Sequence, residues 1–270
     1  MRQYSHIGSR TIAYLDSAPG QTDLRALVLL HAFPIGANLW EPQIKSIPSG
    51  WRLITPDLRG FGGSTEVDSP AAPSMADYAE DVVDLLDELG VARAVIGGCS
   101  MGGYAALALY QARPELFDGL VLANTRAGGD SPESRANRRN MLAVVDREGP
   151  SGVARDMMPK LLGRHTHETR PDAEANVRRL IKQQSPEAIR AAIHRMMHRP
   201  DSTPLLARVS VPTLVITGAE DEMIPVEESR RIASEIRGAR LVIIPGAGHL
   251  ANLEQPEAFN TALNEFLAAL

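Results

Sequence analysis

The stretch VIGGCSMGGYAAL, residues 95–107, sets a cysteine and a serine side by side between two pairs of glycines. The apolar run ARAVIGG (92–98) ahead of it reads as a buried strand, and SMGGYAALALYQARP behind it as a helix ended by Pro114. A chain that turns this sharply from strand to helix forces the residue at the apex to φ > 0. The residues two places away must then be small enough for strand and helix to approach. Gly98-Cys99-Ser100-Met101-Gly102 meets that demand at one position, since only residue 100 has glycine on both sides at that distance. Residue 99 has Gly97 and Met101 instead. The spacing therefore selects Ser100 as the nucleophile and leaves Cys99 as a packing residue. Gly97 and Gly103 read as further relief around the turn. The helix that begins here directs its free N–H groups toward any negative charge that develops beside Ser100.

Working outward, the chain alternates short aliphatic runs with amphipathic helices. SHIGSRTIAYLD reads as a hairpin turning at Gly8-Ser9, and strands follow at 26–31, 52–57, 92–98, 119–124, 213–218 and 239–244. SMADYAEDVVDLLDELG (74–90) is a helix with Ser74 as N-cap, Asp77 in the capping position and Gly90 as its stop. PVEESRRIASEI and PEAFNTALNEFLAAL are the later helices. Runs of Val, Ile and Leu without polar alternation belong to strands buried on both faces. The predicted class is α/β, with a mostly parallel eight-stranded sheet between helical layers.

Residues 126–206 stand apart. They carry 15 Lys and Arg against 10 Asp and Glu in a chain whose formal net charge is −5, and they contain no clear β-run. Patterns such as PEAIRAAIHRMMHR predict helices there. The expected organisation is a core of residues 1–125 and 207–270 with a helical cap inserted at 126–206. Its excess of positive charge reads first as a solvated face, with attraction of anionic substrates as the alternative. Met141, Met157, Met158, Met196 and Met197 fall in this segment, either lining an adaptable apolar pocket or packing its helices.

In open α/β sheets ligands sit beyond the carboxyl ends of the strands, so the partners of Ser100 should follow strands too. Asp221 in VITGAEDEMIP and His249 in IIPGAGHLANLEQP both do. The chain order Ser100, Asp221, His249 is that of a nucleophile, its orienting carboxylate and its base on a strand–turn–helix scaffold. Glu220 and Glu222 flank Asp221 and rank below it. The oxyanion of a tetrahedral intermediate needs backbone donors. Met101 N–H follows the nucleophile, and Phe33 N–H lies in the His31-Ala32-Phe33-Pro34 loop, where Pro34 has none to offer. Each such donor is worth a factor of about 10²–10³ in rate. His31 reads as a brace for that loop, and Asp57 and Arg59 in DLRGFGGS as structural.

Other classes are disfavoured. A net charge of −5 argues against a nucleic-acid surface, no run approaches the length of a membrane span, and the polar N-terminus lacks a signal-peptide core. The one cysteine cannot close an internal disulfide, and the pairs His165/His167 and His194/His198 lack the acidic or thiolate partners of a metal site. The expectation is a cytoplasmic protein acting on a small molecule without metal or organic cofactor.

Together, His31–Pro34, Asp57–Ser64, Gly98–Gly103, Gly218–Pro225 and Gly246–His249 resemble the α/β-hydrolase superfamily over nearly the whole chain. HAFP…W, GGCSMGGYAAL and LVLANTRAGGD are similar to its small capped carboxylesterases and lactonases. These include enol-lactonase-like and acyl-homoserine-lactone-cleaving members, and they border on the cofactor-free haloperoxidases. Ala32 departs from the glycine usual in the oxyanion loop but keeps its N–H groups. The resemblance implies a serine carboxyl-ester hydrolase for small to medium esters or lactones. Alternatives on the same frame are a perhydrolase, a thioesterase, a C–C bond hydrolase or a slow-turnover ligand receptor. Dehalogenases and epoxide hydrolases of this type use an aspartate nucleophile, so Ser100 argues against both.

Overall fold

A computed structural model describes residues 2–65 and 72–270. The hairpin closes as the sequence predicts: β1 (Arg2–Ile7) and β2 (Arg10–Asp16) run antiparallel, with Ile7 opposite Arg10 and Gly8-Ser9 between them. β2 then pairs antiparallel with β4 (Trp51–Pro56). From β4 the sheet is parallel through β3 (Arg25–Leu30), β5 (Ala94–Cys99), β6 (Phe117–Ala123), β7 (Thr213–Gly218) and β8 (Arg240–Ile244). The order is β1-β2-β4-β3-β5-β6-β7-β8, eight strands in one sheet. β4, β5 and β7 are buried along their whole length because helices cover both faces, which is why their sequences show no polar alternation.

The helices of the body are short α1 (Glu41–Ile44), α2 (Met75–Glu88) and α3 (Met101–Ala112) before β6. α2 starts as read, with Asp77 Oδ2 accepting the Ser74 amide at 3.0 Å. It packs on α3. Between β6 and β7 the chain is helical: α4 (Pro132–Leu161), α5 (Arg164–Thr169), α6 (Pro171–Lys182), α7 (Pro186–Met197) and α8 (Thr203–Leu206). α4 is two helical runs broken at Gly149, whose φ of 60° and following Pro150 interrupt the hydrogen-bond ladder. α9 (Val226–Glu235), α10 (Ala251–Glu254) and α11 (Pro256–Ala268) complete the fold. Among the described residues, no helix is long and apolar enough to cross a membrane.

The apolar residues of the helical segment between β6 and β7 are continuous with the core of the sheet. Val153, Ile189 and Ile193 belong to the same buried cluster as Leu30, Val95 and Leu122. Polar ties cross the junction as well. Gln184 Oε1 accepts the Gly62 amide at 2.9 Å, and Arg195 Nε reaches Asp77 at 3.1 Å. These contacts fix the segment over the carboxyl ends of the strands.

Candidate active site

Ser100 lies between β5 and α3, at the N-cap of α3, with φ 54° and ψ −113°, one of two non-glycine residues with positive φ among the described residues. Such a conformation costs about 1–3 kcal/mol and persists only when its surroundings hold it. They do: Ser100 N–H donates to Ala123 O at 2.9 Å, and Thr125 Oγ1 donates to Ser100 O at 2.8 Å. The glycines have separate duties. A Cβ on Gly98 would lie 2.4 Å from the Gly102 carbonyl carbon, and one on Gly102 would lie 2.2 Å from Leu30 O. Gly97 and Gly103 do more than relieve the turn. A Cβ on Gly97 would meet Val121 O of the neighbouring strand at 2.2 Å, and one on Gly103 would meet Thr125 Oγ1 at 2.5 Å.

His249 is buried in the loop after β8, and its Nδ1 lies 2.8 Å from Asp221 Oδ2. A carboxylate can only accept, so Nδ1 carries the proton and Nε2 is left as an acceptor. Asp221 Oδ1 accepts the amides of Met223 and Ile224, each at 2.9 Å. Asn124 Nδ2 donates to Oδ2 at 2.9 Å. Burial opposes ionisation of Asp221, and the charge and hydrogen bonds of His249 with those of Asn124 outweigh it. The carboxyl is held below its ordinary range. Glu222 is exposed, and Glu220 turns to the helical segment, accepting the His165 amide at 3.0 Å.

Ser100, His249 and Phe33 line one cavity of about 230 Å³, shared with Met141, Met157 and Met196 of the helical segment. The sequence reading therefore brings Ser100 and His249 to one space, with Asp221 behind His249. Three of the five methionines line it. Among the described residues, the amides of Phe33 and Met101 have no internal acceptor, as oxyanion donors require.

Two positioning residues escaped the sequence reading. Asn124, at φ 45°, joins Asp221 to the His249 loop through a second Nδ2 bond to Gly248 O at 3.0 Å. Its place one residue past β6 was the available signal. Glu254 is buried and accepts four hydrogen bonds. Oε1 takes the amides of Gly248 and Leu250 at 3.0 Å, and Oε2 takes Gly163 N–H and Thr166 Oγ1 at 2.7 Å. It thus clamps both sides of His249 to the helical segment. Gly163 and Gly248 touch backbone to backbone, for a Cβ on Gly248 would sit 2.3 Å from Gly163 N.

Cys99 is buried, and its thiol lies 3.7 Å from His249 O. Burial, with the charges of Asp221 and Glu254, pushes that thiol well above its ordinary pKa, so it is a poor nucleophile.

His31 braces the Phe33 loop. Its Nε2 accepts the Leu58 amide at 3.0 Å, and its Nδ1 donates to Ala32 O at 3.0 Å. Complete burial is the main reason its pKa is lowered from 6.5 to about 4, with a smaller push from Arg2 and an opposing bond to Ala32. Between those values the unfolded chain binds a proton that the folded one refuses. Stability is therefore full above about pH 6.5 and falls as the pH drops toward 4, by about 2 kcal/mol at pH 5. Urea unfolding at pH 7.5 and pH 5 should show this loss in the wild type. His31→Gln, weaker at pH 7.5, should lack that part of the pH dependence. Equal pH dependence in the two proteins would refute it.

A family model for the alpha/beta hydrolase fold matches residues 25–256. The chain belongs to the α/β-hydrolase family. Among α/β-hydrolase relatives, 3-oxoadipate enol-lactonase 2 of Acinetobacter baylyi is 30% identical over 90% of this chain and 89% of its own length. A putative carbamate hydrolase of a Caulobacter species is 31% identical, covering 92% of each chain. A malate-bound thermophilic esterase from Thermogutta terrifontis superposes with a TM-score of 0.92 at 37% identity, over 100% of this chain and 98% of that one. Hydrolase chemistry thus accompanies the fold in each of these relatives.

Proposed function

We propose that this α/β-hydrolase is a serine carboxyl-ester hydrolase for small to medium esters or lactones, working through an acyl-enzyme. The observation that carries the reading is the buried Asp221–His249 pair, with His249 sharing a cavity with Ser100 on its strained turn. Ser100 Oγ attacks the carbonyl carbon while His249 Nε2 takes its proton. Asp221 holds the imidazole in the Nδ1–H tautomer and stabilises the imidazolium. The amides of Phe33 and Met101 bind the oxyanion. His249 then protonates the leaving alcohol, and a water activated by His249 releases the acid. In a lactone the alcohol remains tethered to the acyl part, so the same steps open a ring. The chemistry calls on no metal or organic cofactor. In this reading residues 126–206 act as a cap over a core of residues 1–125 and 207–270, supplying the methionine wall of the pocket.

The esterase and enol-lactonase among the relatives support ester and lactone substrates. The test is a turnover screen of p-nitrophenyl esters from acetyl to dodecanoyl, a set of lactones and an alkyl carbamate, beside labelling with a fluorophosphonate. The expected result is many turnovers per active site on short or medium esters and a single phosphonyl adduct on Ser100. Stoichiometric binding without turnover would instead indicate a receptor.

A further inference from the structure

The cavity at Ser100 is not uniformly apolar. Met141, Met157, Ile193 and Met196 form one part of its wall, whereas Arg126, Ser134, Asn137 and Arg138 form another. Ser134, Asn137, Arg138 and Met141 recur at the spacing of a single face of α4. Among the described residues, no carboxylate lines this space.

The acidic group that serves these arginines lies behind them. Asp130, its side chain fully buried, accepts Arg126 Nη2 on Oδ1 at 2.9 Å and Arg199 Nη1 on the same oxygen at 2.6 Å. Arg138 meets Oδ2 through Nε. Burial opposes ionisation of Asp130, but Arg138 and Arg199 outweigh it and hold the carboxyl below its ordinary range. One carboxylate thus meets three guanidinium groups, a formal excess of +2 within the hydrogen-bonded cluster, while Glu228 acts on Arg126 and Asp201 on Arg199 by charge alone. Arg199 is consumed by the fold: it is buried, lies 4.0 Å over the Tyr104 ring, and also donates to Met196 O and Gly128 O. Arg126 and Arg138 remain at the cavity wall. The Nε of Arg126 is buried without a partner among the described residues.

A guanidinium beside an apolar wall is costly unless an acceptor completes its hydrogen bonds, and a carboxylate does so with charge-assisted, often bidentate geometry. We infer that the substrate is an ester or lactone that itself carries a carboxylate, received by Arg126 and Arg138 while its ester carbonyl lies at Ser100. The inference rests on the hydrolase reading above and narrows it to anionic substrates. The positive charge expected of a solvated face is in these two residues directed into the site.

The test compares the p-nitrophenyl monoester of adipic acid with p-nitrophenyl heptanoate, an uncharged ester of similar length, after subtraction of spontaneous hydrolysis. The wild type should favour the anionic ester by about tenfold or more in kcat/KM. Arg138→Met should reduce that preference by about tenfold, the anionic ester losing far more than the neutral one, and Arg126→Met should act in the same direction. Free adipate should inhibit heptanoate hydrolysis competitively where adipamide does not. If either variant fails to fold, the wild-type preference and the adipate–adipamide contrast decide alone. Ser100-dependent turnover of heptanoate without anionic preference or adipate inhibition overturns this inference and leaves the hydrolase reading intact. No turnover of either ester, nor of any ester, lactone or carbamate in the screen above, overturns the hydrolase reading. Adipate binding by calorimetry, weakened by Arg138→Met or not, then decides whether the anion subsite exists.

Discussion

Ser100→Ala should lower kcat for the best ester substrate by about 10⁴-fold or more, while the protein keeps its fold and its stability to urea unfolding to within about 1 kcal/mol. The substitution removes only Oγ. The backbone bonds to Ala123 O and from Thr125 remain, so the turn and the Phe33 and Met101 amides stay where they are. Residual rate then reflects those amides and substrate binding, with water as the nucleophile. Cys99→Ala is the control. Its thiol points to His249 O and does not line the cavity, so kcat should move by less than about threefold, the scale of a small packing change. A Ser100→Ala enzyme within tenfold of wild type, or a fluorophosphonate adduct on Cys99, would remove Ser100 from the mechanism.

The second large effect is expected at Glu254. Glu254→Ala leaves three buried amides and the Thr166 hydroxyl without their acceptor and should cost about 3–5 kcal/mol of stability. Glu254→Gln is the sharper probe because it keeps the shape. Each carboxylate oxygen accepts two donors, so one orientation of the new amide turns its NH₂ group against the Gly248 and Leu250 N–H groups and the other against the Gly163 N–H, where the Thr166 hydroxyl can turn to accept. The loss should be about 2–3 kcal/mol. Since two of those donors bracket His249, kcat should fall as well, with KM less affected. Urea midpoints and steady-state kinetics on both variants check this. A glutamine variant equal to wild type in both would show that the clamp does not position His249.

Elements were the most legible level of this sequence. The strand at 213–218 has the predicted bounds, and the strands from β3 onward lie within two residues of theirs, because aliphatic runs bounded by Gly, Pro and Asp are local signals; β1 begins three residues ahead of the predicted hairpin. The turn at Ser100 was equally local: the glycine spacing states which residue can take a positive φ. The places of Asp221 and His249 followed from one topological rule, that such sites gather where parallel strands end.

What stayed hidden is polar and long-range. Nothing near Asn124 says that its amide will join residues 97 and 124 positions away, and nothing near Glu254 marks Gly163 as its partner 91 positions earlier. Asp130 looks like any loop carboxylate until three arginines close around it. The sequence alone determined the sheet, the turn that strains Ser100 and the strand ends from which Asp221 and His249 project. Periodicity and glycine sterics act between near neighbours and can be read along the chain. Only the tertiary structure decided that Asn124 and Glu254 hold the His249 loop in place and that Arg126 and Arg138 face the pocket. A buried hydrogen bond or ion pair takes its strength from burial and from a partner brought by folding, and neither is written in the residues beside it.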